Sequence, residues 1–192
     1  MVILIVSGNK VIRLSCYIFV ILFRILVVYL HSDHFKHTFM EDTAIPYELP
    51  EVENHSFFFI DQRVETGLEA KLHQHDAWEL YYVVHGYGNR MAGDTLQPFE
   101  AGDVALIPPS MLHRWEYTPD SADEEGHVRY LMVAFSDSLV ERCMQVFPEL
   151  RNHLKNITFP VNALKFGSKS SRTIRRILSR MNNLNELGRL CE

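Results

Sequence analysis

The sequence predicts a mainly β domain, a barrel-like core followed by C-terminal helices. Three observations carry this expectation. Six short runs between Phe57 and Phe135 are rich in β-branched and aromatic residues. Gly-Asp and Pro punctuation separates them at the spacing of a sandwich or barrel. Beyond Asp137 the apolar residues fall at helical spacing instead.

In chain order the strand-forming runs are SFFFIDQRV, KLHQHDAWELYYVVHG, GNRMAGDTLQPF, GDVALIPP, HRWEY and HVRYLMVAF. AGDT at 92–95 and AGD at 101–103 supply residues that suit hairpin turns. Two helices follow. The first is expected from Leu139 to Leu154 and the second from Ser170 to Leu190, with Pro160 and Gly167 between them. The second carries Ile174, Ile177, Leu178, Met181, Leu184 and Leu187 on one broad face, more than is needed to shield a single barrel. Part of that face is therefore expected to pack on the first helix and the remainder on a second copy of the chain.

With 192 residues the chain suits one domain and a small appendage. A net charge of −5 argues against a nucleic-acid binder that uses its whole surface. Lys165, Lys169, Arg172, Arg175, Arg176 and Arg180 make the last helix locally basic, which reads as a solvated polar face. Cys16, Cys143 and Cys191 are odd in number and widely spaced, so neither a disulfide framework nor a thiolate zinc site is expected.

Residues 1–39 differ in character from the rest. Val11 to Leu30 is apolar over the length of a membrane span, broken by Arg13 and Arg24. One reading makes it a membrane anchor. Another starts the protein at Met40, where the text turns polar and Pro-punctuated, and leaves residues 1–39 as an upstream extension; this agrees with cysteines suited to a reducing cytoplasm. A buried helix or strand is the third. His31, His34 and His37 have metal-like spacing but lie in this segment, and no site is assigned to them.

HQHDAWELYY, residues 73–82, raises the question of chemistry. On a strand His73 and His75 face the same way, and Glu79 returns to that side after a turn at Asp76 and Ala77. His113 supplies a further imidazole. Three imidazoles and a carboxylate suit a divalent transition metal such as zinc, manganese, iron or nickel. By strand parity Tyr81 and Val83 share the phase of Glu79, and Trp115 shares that of His113, so an aromatic cavity wall is expected beside the cluster. Tyr81, Trp115 and, across the phase break at Gly88, Arg90 are the candidate ligand contacts. His85 reads as an exposed turn residue and Asp76 as structural.

These motifs resemble those of the cupin superfamily. Its first pattern is met in full by Gly67, His73, His75, Glu79 and Gly86, and its second by Gly102, Pro108 and His113. Ser110 stands where that pattern has Gly, and Tyr117 where it has Asn. The resemblance implies a cupin jelly-roll barrel and assigns His73, His75, Glu79 and His113 as metal ligands.

Residues 50–192 further resemble the amino-terminal half of arabinose-regulator (AraC-type) transcription factors. The block from His73 to Trp115, FSDSLVERCMQVFPEL after the barrel, and the closing MNNLNELGRLCE carry that likeness. It implies a barrel that binds a small effector such as a sugar or other metabolite, helices that support a homodimer, and DNA binding through a C-terminal helix-turn-helix domain. Residues 137–192 are too few to hold that domain beside the helices already placed. The expected organisation is an extension at 1–39, a cupin barrel at 40–136 and a helical dimerisation segment at 137–192. The expected function is non-enzymatic sensing in the cytoplasm. A stand-alone cupin metalloenzyme, either dioxygenase or sugar isomerase, is the alternative, and a membrane-anchored binding module depends on residues 11–30.

Overall fold

The computed structural model describes residues 3–7, 10–14, 45–46, 57–151, 162–185 and 188–189. At the N-terminus β1 (Ile3–Ser7) and β2 (Lys10–Leu14) form an antiparallel pair. Val11 to Leu14 are thus in a strand, while the rest of the apolar stretch and His31, His34 and His37 lie outside the described residues, as do Cys16 and Cys191. Among the described residues no helix is long and apolar enough to cross a membrane.

Two five-stranded sheets face each other and enclose the core, forming the barrel expected from the sequence. One runs β3 (Ile45–Pro46), β5 (His73–Gln74), β10 (His113–Tyr117), β7 (Gly88–Ala92), β8 (Thr95–Phe99). The other runs β12 (Leu164–Lys165), β9 (Val104–Ile107), β6 (Trp78–His85), β11 (His127–Phe135), β4 (Phe58–Glu65). All pairings are antiparallel except β3 with β5.

The turns follow from local chemistry. Gly93, at φ 59°, takes the left-handed conformation that closes the β7–β8 hairpin. The second expected hairpin, at 101–103, is instead a corner between the sheets, because β8 pairs only with β7 and β9 joins the opposite sheet. Gly102 turns it at φ 100°, and the Asp103 carboxylate accepts the Glu100 N–H at 3.1 Å. At Gly88 the chains of β7 and β10 approach so closely that a Cβ would collide with the Glu116 carbonyl oxygen. Only glycine fits there.

Strand β6 is buried on both faces, and this sets the layers. Tyr81 and Val83 point into the barrel with Ala105, Trp115, Tyr117, Val128 and Met132. Trp78 and Leu80 point outward, where helices α1 (Asp137–Val146) and α2 (Ser168–Met181) cover them. Burying each such apolar side chain contributes about 1.5–3 kcal/mol.

Both helices are shorter than their apolar periodicity suggests. Helix α1 stops at Val146 because Pro148 cannot continue it: the preceding Phe147 moves to φ −127°, ψ 85°, and Pro148–Leu150 form a 3-10 turn. Helix α2 stops at Met181 and gives way to a turn at Asn182–Asn183. Arg189 folds back to donate from Nε to the Met181 carbonyl at 3.0 Å, satisfying a helix-end acceptor. Of the apolar face expected on this helix, Ile174, Ile177, Leu178 and Met181 pack within the chain, each no more than 3% exposed, in one cluster with Trp78, Leu80, Val104, Leu106 and Val140, while Leu184 is half-buried and Leu187 lies outside the described residues. Lys169, Arg172, Arg176 and Arg180 are exposed.

Candidate metal and effector site

His73 on β5, His75 just after it, Glu79 on β6 and His113 at the start of β10 converge on the barrel interior, and all four are buried. Pairing of His113 with both His73 and Ala92 fixes the register of that end of the sheet. One ligand atom from each of the four residues lies within 4.8 Å of the others. Donors about 2.0–2.2 Å from a shared ion stand no more than about 4.4 Å apart, so a contraction of a few tenths of an ångström would close the shell.

The tautomers suit that role. His73 Nδ1 lies 2.7 Å from the Lys71 carbonyl, His75 Nδ1 3.1 Å from the Ala77 carbonyl and His113 Nδ1 2.7 Å from the Met111 carbonyl. A carbonyl only accepts, so each ring donates from Nδ1; the neutral ring then keeps its lone pair on Nε2 for a metal, and only the protonated, metal-free ring also donates from Nε2. His75 and His113 turn those Nε2 atoms toward Glu79 Oε2, at 3.3 and 3.4 Å. Backbone acceptors of this kind orient imidazole ligands in metal sites. The four residues therefore fit a divalent transition ion.

Electrostatics couple Glu79 to its neighbours. Burial pushes its carboxyl up, but hydrogen bonds from His113 and His75, with their charge, outweigh burial and leave it far below the ordinary carboxylate range. For His113 burial acts downward, and the hydrogen bond and charge of Glu79 more than reverse it, so its pKa is raised. His73 is lowered, first by burial and then by repulsion from His113.

Stability should depend on pH in opposite senses with and without metal. Glu79, depressed in the fold, contributes stability that is present above its ordinary 4.5 and lost as pH falls through its folded value. His113, raised in the fold, contributes below its ordinary 6.5 and loses that contribution as pH rises through its folded value. The metal-free pair is thus most stabilising between those two values and weakens above pH 6.5. Metal binding needs neutral imidazoles and strengthens over the same upward range. Thermal midpoints from pH 6 to 8 should fall in chelator relative to a His113→Ala control and rise with zinc; parallel curves would contradict this coupling.

A cavity of about 120 Å³ opens beside the cluster, lined by Ile60, Gln62, Glu69, Ala70, His73, His75, Glu79, Tyr81, Trp115, Tyr130 and Met132. Its aromatic wall is continuous: Tyr81 stacks on Trp115 at 3.9 Å and on Tyr130 at 4.6 Å, between ring centroids. Trp115 Nε1 donates to Glu79 Oε1 at 3.4 Å and so links wall to cluster. Tyr81 and Trp115 lie where strand parity puts them.

Arg90 does not line this cavity. Its guanidinium lies over the Trp115 ring, 5.2 Å from the centroid, and Nη2 donates to Gln97 at 2.7 Å. Because Tyr81 covers one face of Trp115, Arg90 occupies the other. Burial lowers its pKa to about 10, with Asp103 acting the opposite way, and its buried Nη1 has no hydrogen-bond partner.

Sequence reasoning missed Glu69, Gln62, Tyr130 and Met132. Tyr130 and Met132 face Val83 and Tyr81 across β11, but β11 is also apolar at Leu131 and Val133, so its pattern does not say which face is the cavity. The two departures from the cupin pattern have visible roles. Ser110 holds the left-handed φ of 60° that glycine would adopt, donates to Asp76 at 2.9 Å and gives its N–H to the His75 carbonyl at 2.8 Å. Asp76 thereby pins the ligand turn. Tyr117 is buried with its hydroxyl 3.2 Å from that of Tyr81. His85 is exposed at the end of β6.

Solved structures similar to this chain include a cupin barrel domain protein and two oxalate decarboxylases. A cupin 2 conserved barrel domain protein from Rhodopseudomonas palustris is 22% identical over 45% of this chain and 57% of its own, with a TM-score of 0.35. The match thus spans little more than half the length of that protein. A predicted oxalate decarboxylase from Thermotoga maritima is 24% identical over 46% of this chain and 76% of its own, at a TM-score of 0.38. Oxalate decarboxylase from Bacillus subtilis, described with Mn(II) centres, is 17% identical over 43% and 22%, at 0.37. No curated protein sequence matches the chain significantly. The sequence profile described as the AraC-like ligand binding domain matches residues 54–190, covering β4 to β12, the cavity and both helices, and the chain belongs to that family.

Proposed function

We propose that the domain senses a small metabolite for a transcription regulator of the arabinose-regulator type. The observation that carries this reading is the joining of a buried three-histidine, one-glutamate cluster to an aromatic-walled cavity of about 120 Å³. That volume lies below the roughly 300–1,000 Å³ of sites for drug-sized ligands and suits a compact molecule. His73, His75, Glu79 and His113 would hold one divalent ion, which when bound supplies a Lewis-acidic anchor for an effector oxygen. Tyr81 and Trp115 line the apolar side of the effector's cavity, held in place by their stacking on each other and by Tyr130 and Arg90. Arg90 supports Trp115 from behind, so its place in this proposal is to position that ring.

Homodimer assembly, a cytoplasmic location and control of DNA through a further domain belong to the same proposal and rest on the family resemblance. The test is a thermal-shift screen of the zinc- or manganese-loaded protein against small metabolites, followed by sedimentation with and without a hit. A sensor is expected to gain stability from a hit that it returns unchanged. Consumption of the hit, with oxygen uptake or release of carbon dioxide, would favour the metalloenzyme instead.

A further inference from the structure

Glu69 belongs to no ligand set described above, yet it lines the cavity. It sits in the loop between β4 and β5, where its Oε2 accepts the Gly67 N–H at 2.8 Å. That bond fixes the direction of the carboxylate. Its other oxygen, Oε1, is buried and accepts no hydrogen bond from the protein. A buried acceptor left unfilled is costly, and a carboxylate oxygen can be filled only by a donor.

We infer that Glu69 selects the effector by accepting a hydrogen bond from its ammonium or hydroxyl group and rejecting molecules that present a carboxylate there. This rests on the effector-sensing reading. The charges around the cavity support it. Among the described residues no Lys or Arg lines the cavity, and the second carboxylate there, Glu79, is engaged by His75 and His113. The buried guanidinium of Arg90 does not line the cavity and lies over the Trp115 ring, 5.2 Å from its centroid. A carboxylate beside Glu69 would meet like charge with no lysine or arginine lining that end of the cavity among the described residues, the cluster's ion being taken by the effector's other end. An ammonium or hydroxyl would complete the unfilled acceptor, and charge assistance favours the ammonium. The effector is then bifunctional, with an oxygen for the histidine cluster and a donor for Glu69.

Three four-carbon acids share one carboxylate for the cluster and differ at the other end: 4-aminobutanoate, 4-hydroxybutanoate and succinate. Calorimetric titration of the zinc-loaded full chain should show the first two binding and succinate at least about tenfold weaker. Glu69→Gln keeps the shape and an acceptor but removes the charge. It should weaken 4-aminobutanoate about tenfold, leave 4-hydroxybutanoate within about threefold and narrow the gap to succinate. Equal binding of succinate, an unchanged ranking in Glu69→Gln, or no binding of any of the three would overturn the inference. Repeating the titrations in chelator tests the other reading separately: affinities that do not change without metal would remove the cluster as an anchor, while the ranking at Glu69 could still be measured.

Discussion

Glu79→Ala is expected to abolish metal uptake. In the parent protein, purified without chelator, elemental analysis should find close to one divalent ion per chain; in Glu79→Ala and in His73→Ala it should find almost none. Glu79 is the only anionic member of the cluster, and its Oε2 faces the Nε2 atoms of both His75 and His113. Removing it takes away a ligand and the charge that offsets the ion. Loss of even an outer-shell partner typically costs about 10–100-fold in metal affinity, so losing a direct ligand should cost more than about 100-fold. Gln62→Ala, at the exposed rim of the cavity, is the control and should keep its metal. Parent protein that carries no metal, or equal metal in all variants, would remove the metal from the proposed function.

Ile177→Asp is expected to unfold the domain. Ile177 is 3% exposed and packs in the cluster that joins helix α2 to the outer face of the β6 sheet. The substitution removes the apolar contact and strands an unpaired carboxylate among Trp78, Leu80, Leu106 and their neighbours. A loss of roughly 4–5 kcal/mol follows, a large part of the 5–15 kcal/mol that holds a typical domain together. Urea titration followed by circular dichroism should show a lost or strongly lowered transition, whereas exposed Arg176→Asp should stay within about 0.5 kcal/mol of the parent. A folded Ile177→Asp monomer of parental stability would mean that this face serves a second chain.

Much of the barrel was legible in the sequence because strands report themselves locally. Alternating apolar residues and turn glycines locate β6, the β7–β8 hairpin, β10 and β11, and period-two parity places His73, His75, Glu79, Tyr81 and Trp115 on the inner face. The helices were legible in kind but not in extent. Apolar spacing continues past Val146 and Met181, while Pro148 and the Asn182–Asn183 turn end the hydrogen-bond ladders there.

What the sequence by itself determined is the β-rich core and the candidate donors, which follow from residue types at fixed spacing, and the family, which follows from the resemblance of whole blocks of text. Only the tertiary structure decided three other matters, and all depend on what meets across chain-distant elements. Ile174, Ile177, Leu178 and Met181 of α2 pack on β6, β9 and β11 because β6 is apolar on both sides and needs an outer cover. Arg90 stands behind Trp115 because the register of β7 on β10 pairs those two residues, while Tyr81 takes the other face of the ring. Glu69 reaches the cavity wall from the loop between β4 and β5, its carboxylate held by the Gly67 N–H; no periodicity in a loop could have said where that carboxylate would lie.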